Sequence, residues 1–517
     1  MNGAHALLST LRANNVTTCF ANPGTSEMHF VAGLDEVPEV RGVLCLFEGV
    51  ATGAADGYAR VTGAPAATLL HLGPGLANGW ANLHNARRAR VPVLNIVGDH
   101  ATYHAQFDAP LQSDISSIAS ALQGWQRRTL DPNHVARDTA DAIAGAYGPP
   151  GQVATLILPA DVSWGRVTTD APWPVASRAA PGDPDERALE RAIELLTRRR
   201  CALYLGSSAL TSQQLGLAQR VAQATGAKIL SETFPAIMDR GAGVASAERL
   251  IYLSEFAMSQ LRDFDALIMF GASEPVGFFA YPDVASRLVP EHCELVNVAP
   301  AGSNTAAALH ALVRALHAPA LVVAPGERPS PPSGPLTTHS LAAAVGATLR
   351  EGVIVADESN TSGVHLFGAT QFSPEHQWMT LTGGSIGFGL PVAVGAALAS
   401  ARRVLALEAD GSMMYTLQAL WTMARESLDV TVVGLSNRSY AILNFERQRV
   451  GATSDGATSQ RMLEIDNPTL DLSALATAQG VPSTRVTTAD ELVVALERSY
   501  DTPGPMFIEA VLPKGLS

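Results

Sequence analysis

The chain has 517 residues, more than a single hydrophobic core usually serves, and this length predicts two to four domains. Hydrophobic residues make up 47% of the chain and charged residues 16%, which is typical of an α/β protein rich in small aliphatic side chains. The net charge of −13, without a dense Lys/Arg cluster, argues against nucleic acid or an anionic membrane surface as the natural partner.

The number of cysteines and the length of the apolar stretches indicate the cellular compartment of the protein. None of the four cysteines forms a CxxC pair, which disfavours a structural zinc site or a redox dithiol, and so few cysteines fit a reducing compartment. No apolar stretch approaches the roughly 20 residues that span a bilayer, and the N-terminus lacks the pattern of a secretory signal. The sequence therefore predicts a cytoplasmic protein.

Two proline-rich stretches, at 168–185 and 325–335, divide the chain. Proline at that density removes backbone donors and prevents regular elements, so both stretches are predicted as linkers. The predicted domains are residues 1–167, 186–324 and 336–517.

All three segments alternate short apolar runs with helix-length amphipathic ones. The runs predicted as buried strands are residues 42–47, 66–71, 93–97 and 153–158, then 202–205, 228–230, 266–270 and 294–298, and finally 353–356, 403–407, 431–435 and 506–511. Continuous apolar strands separated by helices predict three α/β domains with parallel sheets covered on both faces. Ligands of such folds bind beyond the carboxyl ends of the strands.

Two ionisable residues of the first segment follow predicted strands. Glu48 comes directly after the run at 42–47 and begins a helix of small residues at 48–60, whereas His71 ends the next strand and precedes a glycine-rich stretch at 73–79. A glutamate at the start of a helix is stabilised by the helix dipole whatever its function, and a lone histidine after a strand more often has a structural role. Neither position indicates a function by itself.

The glycine-rich stretch leaves one alternative open. Its sequence, GPGLANG, follows a strand and imitates a phosphate-binding loop, but the spacing is GxGxxxG and not GxGxxG. A dinucleotide-dependent oxidoreductase is therefore a weaker alternative.

Two strands of the third segment lead to candidate metal ligands. Residues 403–407 lead to Asp410, and the next strand leads to Asn437, one β-α-β crossover later. A right-handed crossover places both residues at the same edge of the sheet. A carboxylate, an amide oxygen and a nearby carbonyl suit Mg²⁺ that also binds phosphate, and the amides of Gly411 and Ser412 at a helix N-terminus favour an anion. An isolated Asp-Gly would indicate only a turn, but the spacing of Asp410 and Asn437, each after a predicted strand, favours a metal site.

These residues carry a resemblance to a known family. The sequence ADGS at 409–412, followed by Asn437, resembles the thiamine diphosphate signature, which is usually GDGS closing on NN. Ala409 replaces the first glycine and Ser436 the first asparagine, and neither is a metal-ligating position.

The first segment carries the other half of the resemblance. NPGTSE at 22–27 and the small-residue helix that begins at Glu48 resemble the family's N-terminal loop and its catalytic-glutamate helix. The chain is identified as a member of the thiamine-diphosphate-dependent decarboxylases and carboligases. The match covers nearly the whole chain and is nearest to benzoylformate decarboxylase and the acetolactate synthase large subunit.

The resemblance implies consecutive pyrimidine-binding, middle and diphosphate-binding domains, with thiamine diphosphate and Mg²⁺ as cofactors. It implies that Asp410, the Asn437 side chain and the Ser439 carbonyl hold the metal on the diphosphate. It also implies that Glu48 hydrogen-bonds pyrimidine N1′, which makes accessible the imino tautomer that takes the proton from C2.

Further cofactor contacts are implied around these residues. The Gly384 carbonyl is expected to accept from the 4′-amino group, and Ile386 to be the apolar wedge that bends the cofactor. The remaining implied contacts are Asn360, Thr361, Gly411, Ser412 and Tyr440.

The implied substrate pocket departs from that of benzoylformate decarboxylase. Thr25 and His71 match polar groups that contact the 2-oxo acid, with His71 suited to proton transfer. Ala280 stands where the decarboxylase has a second catalytic histidine, and Glu446, near Leu443, stands where it has an aromatic residue. These changes predict a smaller or more polar substrate, or carboligation in place of simple protonation.

In the family, one chain holds the pyrimidine and another the diphosphate, so a homodimer is the expected minimum and a homotetramer the expected assembly. The implied reaction is decarboxylation of a 2-oxo acid through an enamine, followed by protonation to an aldehyde or ligation to an aldehyde or ketone acceptor. A non-catalytic paralogue is the other alternative, and the possibility that the middle domain binds a nucleotide is left open.

The stretch at 98–104, with His100 and His104, is predicted to shape the entrance of the active site.

Overall fold

The computed structural model describes residues 1–168, 172–452, 454 and 456–515. Part of the first predicted linker, residues 169–171, lies outside the described residues. Within the described ranges the strands form three sheets.

The first sheet has six parallel strands in the order β2-β1-β3-β4-β6-β5. They are β1 Thr18–Asn22, β2 Arg41–Leu44, β3 Ala66–Leu70, β4 Val93–Asp99, β5 Gln126–Arg128 and β6 Val153–Pro159. The helices of this segment are α1 Gly3–Ala13, α2 Met28–Gly33, α3 Glu48–Thr62, α4 Leu72–Ala89, α5 Ile115–Ser120, α6 Val135–Tyr147 and α7 Ala160–Trp164.

The second sheet has five parallel strands in the order β10-β8-β7-β11-β12. The strands in this part of the chain are β7 Cys201–Leu205, β8 Lys228–Ser231, β9 Ile237–Arg240, β10 Glu248–Arg249, β11 Ala266–Phe270 and β12 Glu294–Ala299. The helices are α8 Glu186–Arg198, α9 Ser212–Thr225, α10 Ser254–Leu261 and α11 Thr305–Ala315.

The third sheet has seven strands in the order β17-β18-β16-β15-β13-β14-β9. Its own strands are β13 Ile354–Glu358, β14 His376–Thr380, β15 Val404–Ala409, β16 Val430–Ser436, β17 Ser483–Val486 and β18 Met506–Val511. The helices are α12 Thr338–Thr348, α13 Leu366–Ala369, α14 Gly389–Ser400, α15 Asp410–Met413, α16 Ala419–Arg425, α17 Ala441–Arg449, α18 Ala457–Arg461, α19 Leu472–Ala478 and α20 Ala489–Asp501.

The predicted class, three consecutive α/β domains with parallel sheets, is confirmed. Central strands such as β4 and β16 are buried at every position, which explains why they are apolar without alternation. One detail differs: β9, from the middle segment, joins the third sheet as an antiparallel edge strand next to β14. The domain boundaries stay a prediction.

Two close contacts connect the first segment to the others. Helices α3 and α14 meet backbone to backbone, because a Cβ on Gly395 would lie 1.8 Å from the Ala54 carbonyl oxygen. On the same face, the fully buried Arg60 pairs with Asp56 and donates to a carbonyl of the middle segment and one of the third. The first and third sheets are therefore held with little freedom between them.

Among the described residues, no helix combines the length and apolar character that crossing a membrane requires. The cytoplasmic location stays a prediction.

Candidate active site

The carboxyl edge of the first sheet gathers one group of polar residues. Thr25, Glu48 and His71 follow β1, β2 and β3, which are neighbours in this sheet. Parallel neighbours end at one edge, so three residues that are distant in sequence lie at the same edge of the sheet. Thr25 is exposed on a short 3₁₀ turn, Thr25–Glu27, whereas Glu48 is 8% exposed.

Glu48 and His71 both lie next to Gly75, near the start of α4. A Cβ on Gly75 would lie 3.5 Å from Glu48 Oε1 and 3.6 Å from the Cβ of His71, both ordinary contact distances. The two predicted catalytic side chains therefore flank a position without a side chain.

Two residues that the sequence did not single out contact this group. Asn78, on α4, donates a 3.1 Å hydrogen bond from Nδ2 to Glu48 Oε2. Glu27 Oε2 lies 2.8 Å from His71 Nδ1. Glu27 ends the NPGTSE stretch, which resembles the family's N-terminal loop, and Asn78 lies in the glycine-rich stretch GPGLANG. Neither stretch indicates by itself which of its polar residues contacts the site.

The second group lies at the carboxyl edge of the third sheet. The strands β15 and β16 are parallel neighbours, so Asp410 and Asn437 follow adjacent strand ends. Asp410 Oδ2 accepts from the backbone N–H of Arg438 at 2.6 Å, and Asn437 Oδ1 accepts from that of Ser439 at 3.0 Å. Burial raises the pKa of Asp410, and the backbone N–H groups of Arg438 and Gly411, which donate to its carboxylate, oppose the rise. The loop after β16 is thereby fixed against Asp410.

The residues expected at the diphosphate surround Asp410. Asn360 donates to Ser412 Oγ at 2.9 Å, which ties a second loop to this edge. The ring of Tyr440 lies over Gly411, where a Cβ would be only 2.5 Å from Cε1. Thr361 is half-buried on the same turn as Asn360. Helix α15 ends after four residues, and the next helix, α16, begins at Ala419.

The loop that carries Gly384 and Ile386 joins the two segments. Asn82, on α4, donates to the carbonyls of both Gly49 and Gly387, at 2.9 and 3.0 Å. Gly384 has φ +73° and faces Phe278, so a side chain there would be strained and would collide with the ring. Ile386 is half-buried.

A buried carboxyl supports the end of this loop. Glu358 accepts three backbone N–H groups at 2.7–2.8 Å, from Gly387, Phe388 and Gly389 at the start of α14. Burial raises the pKa of Glu358 to about 7. Glu408, its partner across β13 and β15, is fully buried, and neither of its oxygens has a hydrogen-bond partner among the described residues.

The expected substrate side contains a charge pair that the sequence did not predict. Ala280 and Leu443 are exposed, whereas Glu446 is 15% exposed and lies 3.4 Å from the guanidinium of Arg449. Arg449 also stacks on the ring of Tyr281, with 3.7 Å from Cζ to the ring centroid. The carboxylate of Glu446 is therefore compensated locally, and its effect on a substrate is smaller than that of an isolated charge.

The two groups of residues are chemically suited to thiamine diphosphate and one Mg²⁺. Gly411 leaves room beside Asp410 that a Cβ would fill, because it would lie 2.5 Å from the ring of Tyr440. The described residues contain no cluster of three or more His, Cys, Asp or Glu side chains able to hold a metal. A metal at Asp410 would therefore complete its shell with amide, carbonyl and phosphate oxygens, which is the usual preference of Mg²⁺.

Two family models match the chain. The thiamine pyrophosphate enzyme N-terminal TPP binding domain matches residues 1–126, and the C-terminal TPP binding domain matches residues 361–510. Thiamine pyrophosphate and thiamine diphosphate are the same compound. The two matched ranges contain the Glu48 group and the Asp410 group, respectively.

Similar proteins match over nearly their full length. A Mycobacterium tuberculosis protein provisionally named an acetolactate synthase large subunit is 52% identical over 99% of both chains. The benzoylformate decarboxylase of Pseudomonas aeruginosa is 29% identical over 96% of both. The solved thiamine diphosphate-dependent 4-hydroxybenzoylformate decarboxylase of Rhodococcus jostii RHA1 superposes with a TM-score of 0.86, is 24% identical and covers 100% of both chains.

Proposed function

The chain belongs to the thiamine pyrophosphate enzyme family, and we propose that it is a thiamine-diphosphate- and Mg²⁺-dependent lyase or carboligase acting on a 2-oxo acid. The observation that carries this proposal is the pair of sheet edges, one with Glu48 beside His71 and the other with Asp410 beside Asn437. When bound, the cofactor supplies a carbon nucleophile that attacks the 2-oxo carbonyl and then accepts the electrons of the cleaved bond.

Glu48 is the proposed proton partner of pyrimidine N1′. Its side chain is mostly buried, and the Asn78 amide holds one of its oxygens. A carboxyl held in this way shares a proton with a ring nitrogen without losing its orientation.

Asp410, the Asn437 side chain and the Ser439 carbonyl are the proposed metal ligands. The hydrogen bonds from Arg438 and Ser439 fix the loop that carries the last two ligands. Neighbouring groups that would bind the diphosphate are Asn360, Thr361, Gly411, Ser412 and Tyr440.

The proposed donor site lies between His71 and the loop of Gly384 and Ile386. Thr25 and His71 would contact the 2-oxo acid, and His71 would exchange a proton with it. Ala280 and Glu446 favour a donor smaller or more polar than benzoylformate, or a carbonyl acceptor in place of the final proton.

A homodimer is the proposed minimal unit, and a homotetramer the full assembly. Within one chain, none of the hydrogen bonds between described residues joins Glu48 or Asn78 to Asp410 or Asn437. Large apolar side chains near both groups are exposed, and these are Leu46, Met414, Tyr415 and Leu443. A second copy would cover such side chains and supply the missing half of each site.

The test is a panel of donors with thiamine diphosphate and Mg²⁺: pyruvate, benzoylformate, and branched and acidic 2-oxo acids. Carbon dioxide and the organic product are measured together, so that an aldehyde indicates a decarboxylase and a hydroxyketone a carboligase. Turnover that requires both cofactors supports the proposal. Absence of cofactor binding would refute it.

The alternatives make different predictions in the same assay. A non-catalytic paralogue would bind the cofactor but turn over none of the donors, and a dinucleotide-dependent oxidoreductase would oxidise or reduce a nicotinamide or flavin. Family membership favours the first of these over the second.

A further inference from the structure

Glu27 is a buried acid in contact with His71. It is 3% exposed, and its Oε2 lies 2.8 Å from His71 Nδ1 and accepts from the Gly24 N–H at 2.8 Å. Its Oε1 is buried and has no hydrogen-bond partner among the described residues. Burial raises the pKa of Glu27, and the neighbouring His71 opposes this rise.

Two glycines shape the backbone around this pair. A Cβ on Gly98, in β4, would lie 1.7 Å from Glu27 Oε1, and a Cβ on Gly24 would lie 2.3 Å from the ring of His71. Side chains at either position would push the carboxyl and the imidazole apart. The contact is therefore enclosed on both sides by backbone.

The hydrogen-bond pattern decides which nitrogen of His71 carries the proton. Oε2 accepts the Gly24 N–H, and an oxygen of an ionised carboxylate can only accept, so it accepts from an Nδ1–H as well. A desolvated carboxylate is a strong acceptor, so it favours the Nδ1–H form of the ring and leaves Nε2 as the free basic nitrogen.

We propose that Glu27 is a positioning residue that keeps His71 protonated at Nδ1, so that Nε2 is the atom that exchanges a proton with the 2-oxo acid or its product. This role rests on the proposed function. The resemblance implies that Ala280 stands where benzoylformate decarboxylase has a second catalytic histidine, and on this proposal the dyad would act without one.

Other ionisable groups near the dyad are few. Glu48 lies across Gly75 from His71, and His100 follows the same strand as Gly98, with its ring 5.4 Å from that of His104. Burial lowers the pKa of His100, so its charge disturbs the dyad little near neutral pH. Asp99, beside it, is paired with Arg128. Glu27 is therefore the anion in direct contact with His71.

The tautomer of His71 is measurable in the cofactor-free protein. Solid-state ¹⁵N spectra of ring-labelled histidine separate the two neutral tautomers, and His71→Gln identifies the signal by difference. The wild type and Glu27→Gln are expected to show the Nδ1–H tautomer of His71. In Glu27→Gln the amide oxygen still accepts from the Gly24 N–H and can accept from Nδ1–H in the same way. Glu27→Leu, which lacks an acceptor, is expected to shift His71 to Nε2–H.

Gly98→Ala tests the same contact while Glu27 itself is kept. The added Cβ should displace Glu27 Oε1 and shift His71 to Nε2–H. Gly368→Ala is the matched control, because a Cβ there meets no atom within 4 Å. If Gly98→Ala or Glu27→Leu keeps the wild-type tautomer, the proposal is overturned.

Once a 2-oxo acid donor is known, Glu27→Leu should lower kcat about a hundredfold with little change in KM, and Glu27→Gln should lower kcat less. If the wild type is inactive on every donor, the proposed function is contradicted. The tautomer measurement tests the role of Glu27 independently of that result.

Discussion

Asn78 donates a 3.1 Å hydrogen bond to the carboxyl of Glu48, although the two residues belong to different helices. Helix α4 follows β3 and helix α3 follows β2, so the contact exists only because both helices begin at one edge of the sheet. Asn78 therefore orients the residue that we propose to act on the cofactor.

Replacing Asn78 by alanine should lower kcat about tenfold or more. A hydrogen bond to a carboxylate contributes about 1.5–3 kcal/mol, and about 1.4 kcal/mol corresponds to a factor of ten. Steady-state kinetics with the best donor measures the effect. Asn133→Ala, in the same segment but remote from Glu48, is the control and should keep wild-type kcat. Equal rates for the two variants would contradict the assignment.

Arg60→Met should destabilise the protein strongly. Both side chains of the Arg60–Asp56 pair are 0% exposed, and Arg60 links three segments of the chain. Removing one partner of a buried ion pair costs about 3–5 kcal/mol. The midpoint of thermal unfolding should fall well below that of Arg191→Met, whose exposed pair with Glu294 contributes under about 1 kcal/mol. Similar midpoints would show that this pair does not hold the segments together.

Stability should depend on pH through Glu358. Its pKa is raised to about 7 in the folded protein and is about 4.3 in an unfolded chain. The folded state therefore binds this proton more tightly, and the stability gained from it is complete below about pH 4 and is lost as the pH rises through 7. The stability advantage of the wild type over Glu358→Gln should shrink between pH 5 and about 8, by up to about 3 kcal/mol. Thermal unfolding across this range measures it, and a constant difference would contradict the raised pKa.

Glu446→Gln should shift donor preference toward benzoylformate. The variant removes a carboxylate where an aromatic donor would pack, and we expect the ratio of kcat/KM for benzoylformate to that for pyruvate to rise up to about tenfold. Glu255→Gln is the matched control, because Glu255 also pairs with Arg449 but on its exposed side. An unchanged ratio in Glu446→Gln would remove the main reason to expect a smaller or more polar donor.

The sequence predicted the parts of the fold that depend on single strands. The apolar runs before Asp410 and Asn437 are strands in the structure, and the crossover between these two residues joins neighbouring strands. Each of these features is local, since a buried parallel strand needs a continuous apolar run. The run before Glu48, predicted as a buried strand over 42–47, is a strand only over Arg41–Leu44, and Arg41 and Gly42 are exposed because this short strand lies at the edge of the sheet.

The rest depends on contacts between distant elements. Glu27 and Asn78 acquire partners only when separate strands end side by side, and Arg449 compensates Glu446 only once α17 packs on the middle segment. Strand β9 comes from the middle segment but pairs with β14 in the third sheet, and nothing in its four residues predicts this partner. Side-chain partners across elements have no periodicity that a single sequence reveals.

The central claim is that Glu48 activates bound thiamine diphosphate, and exchange of the cofactor's C2 hydrogen for deuterium tests it without a known donor. Rapid mixing into D₂O, acid quench and proton NMR would give the exchange rate for cofactor bound to the wild type and to Glu48→Gln. We predict that exchange in the wild type is about a hundredfold or more faster than in Glu48→Gln, while both bind the cofactor. Equal exchange rates in the two proteins would contradict the account.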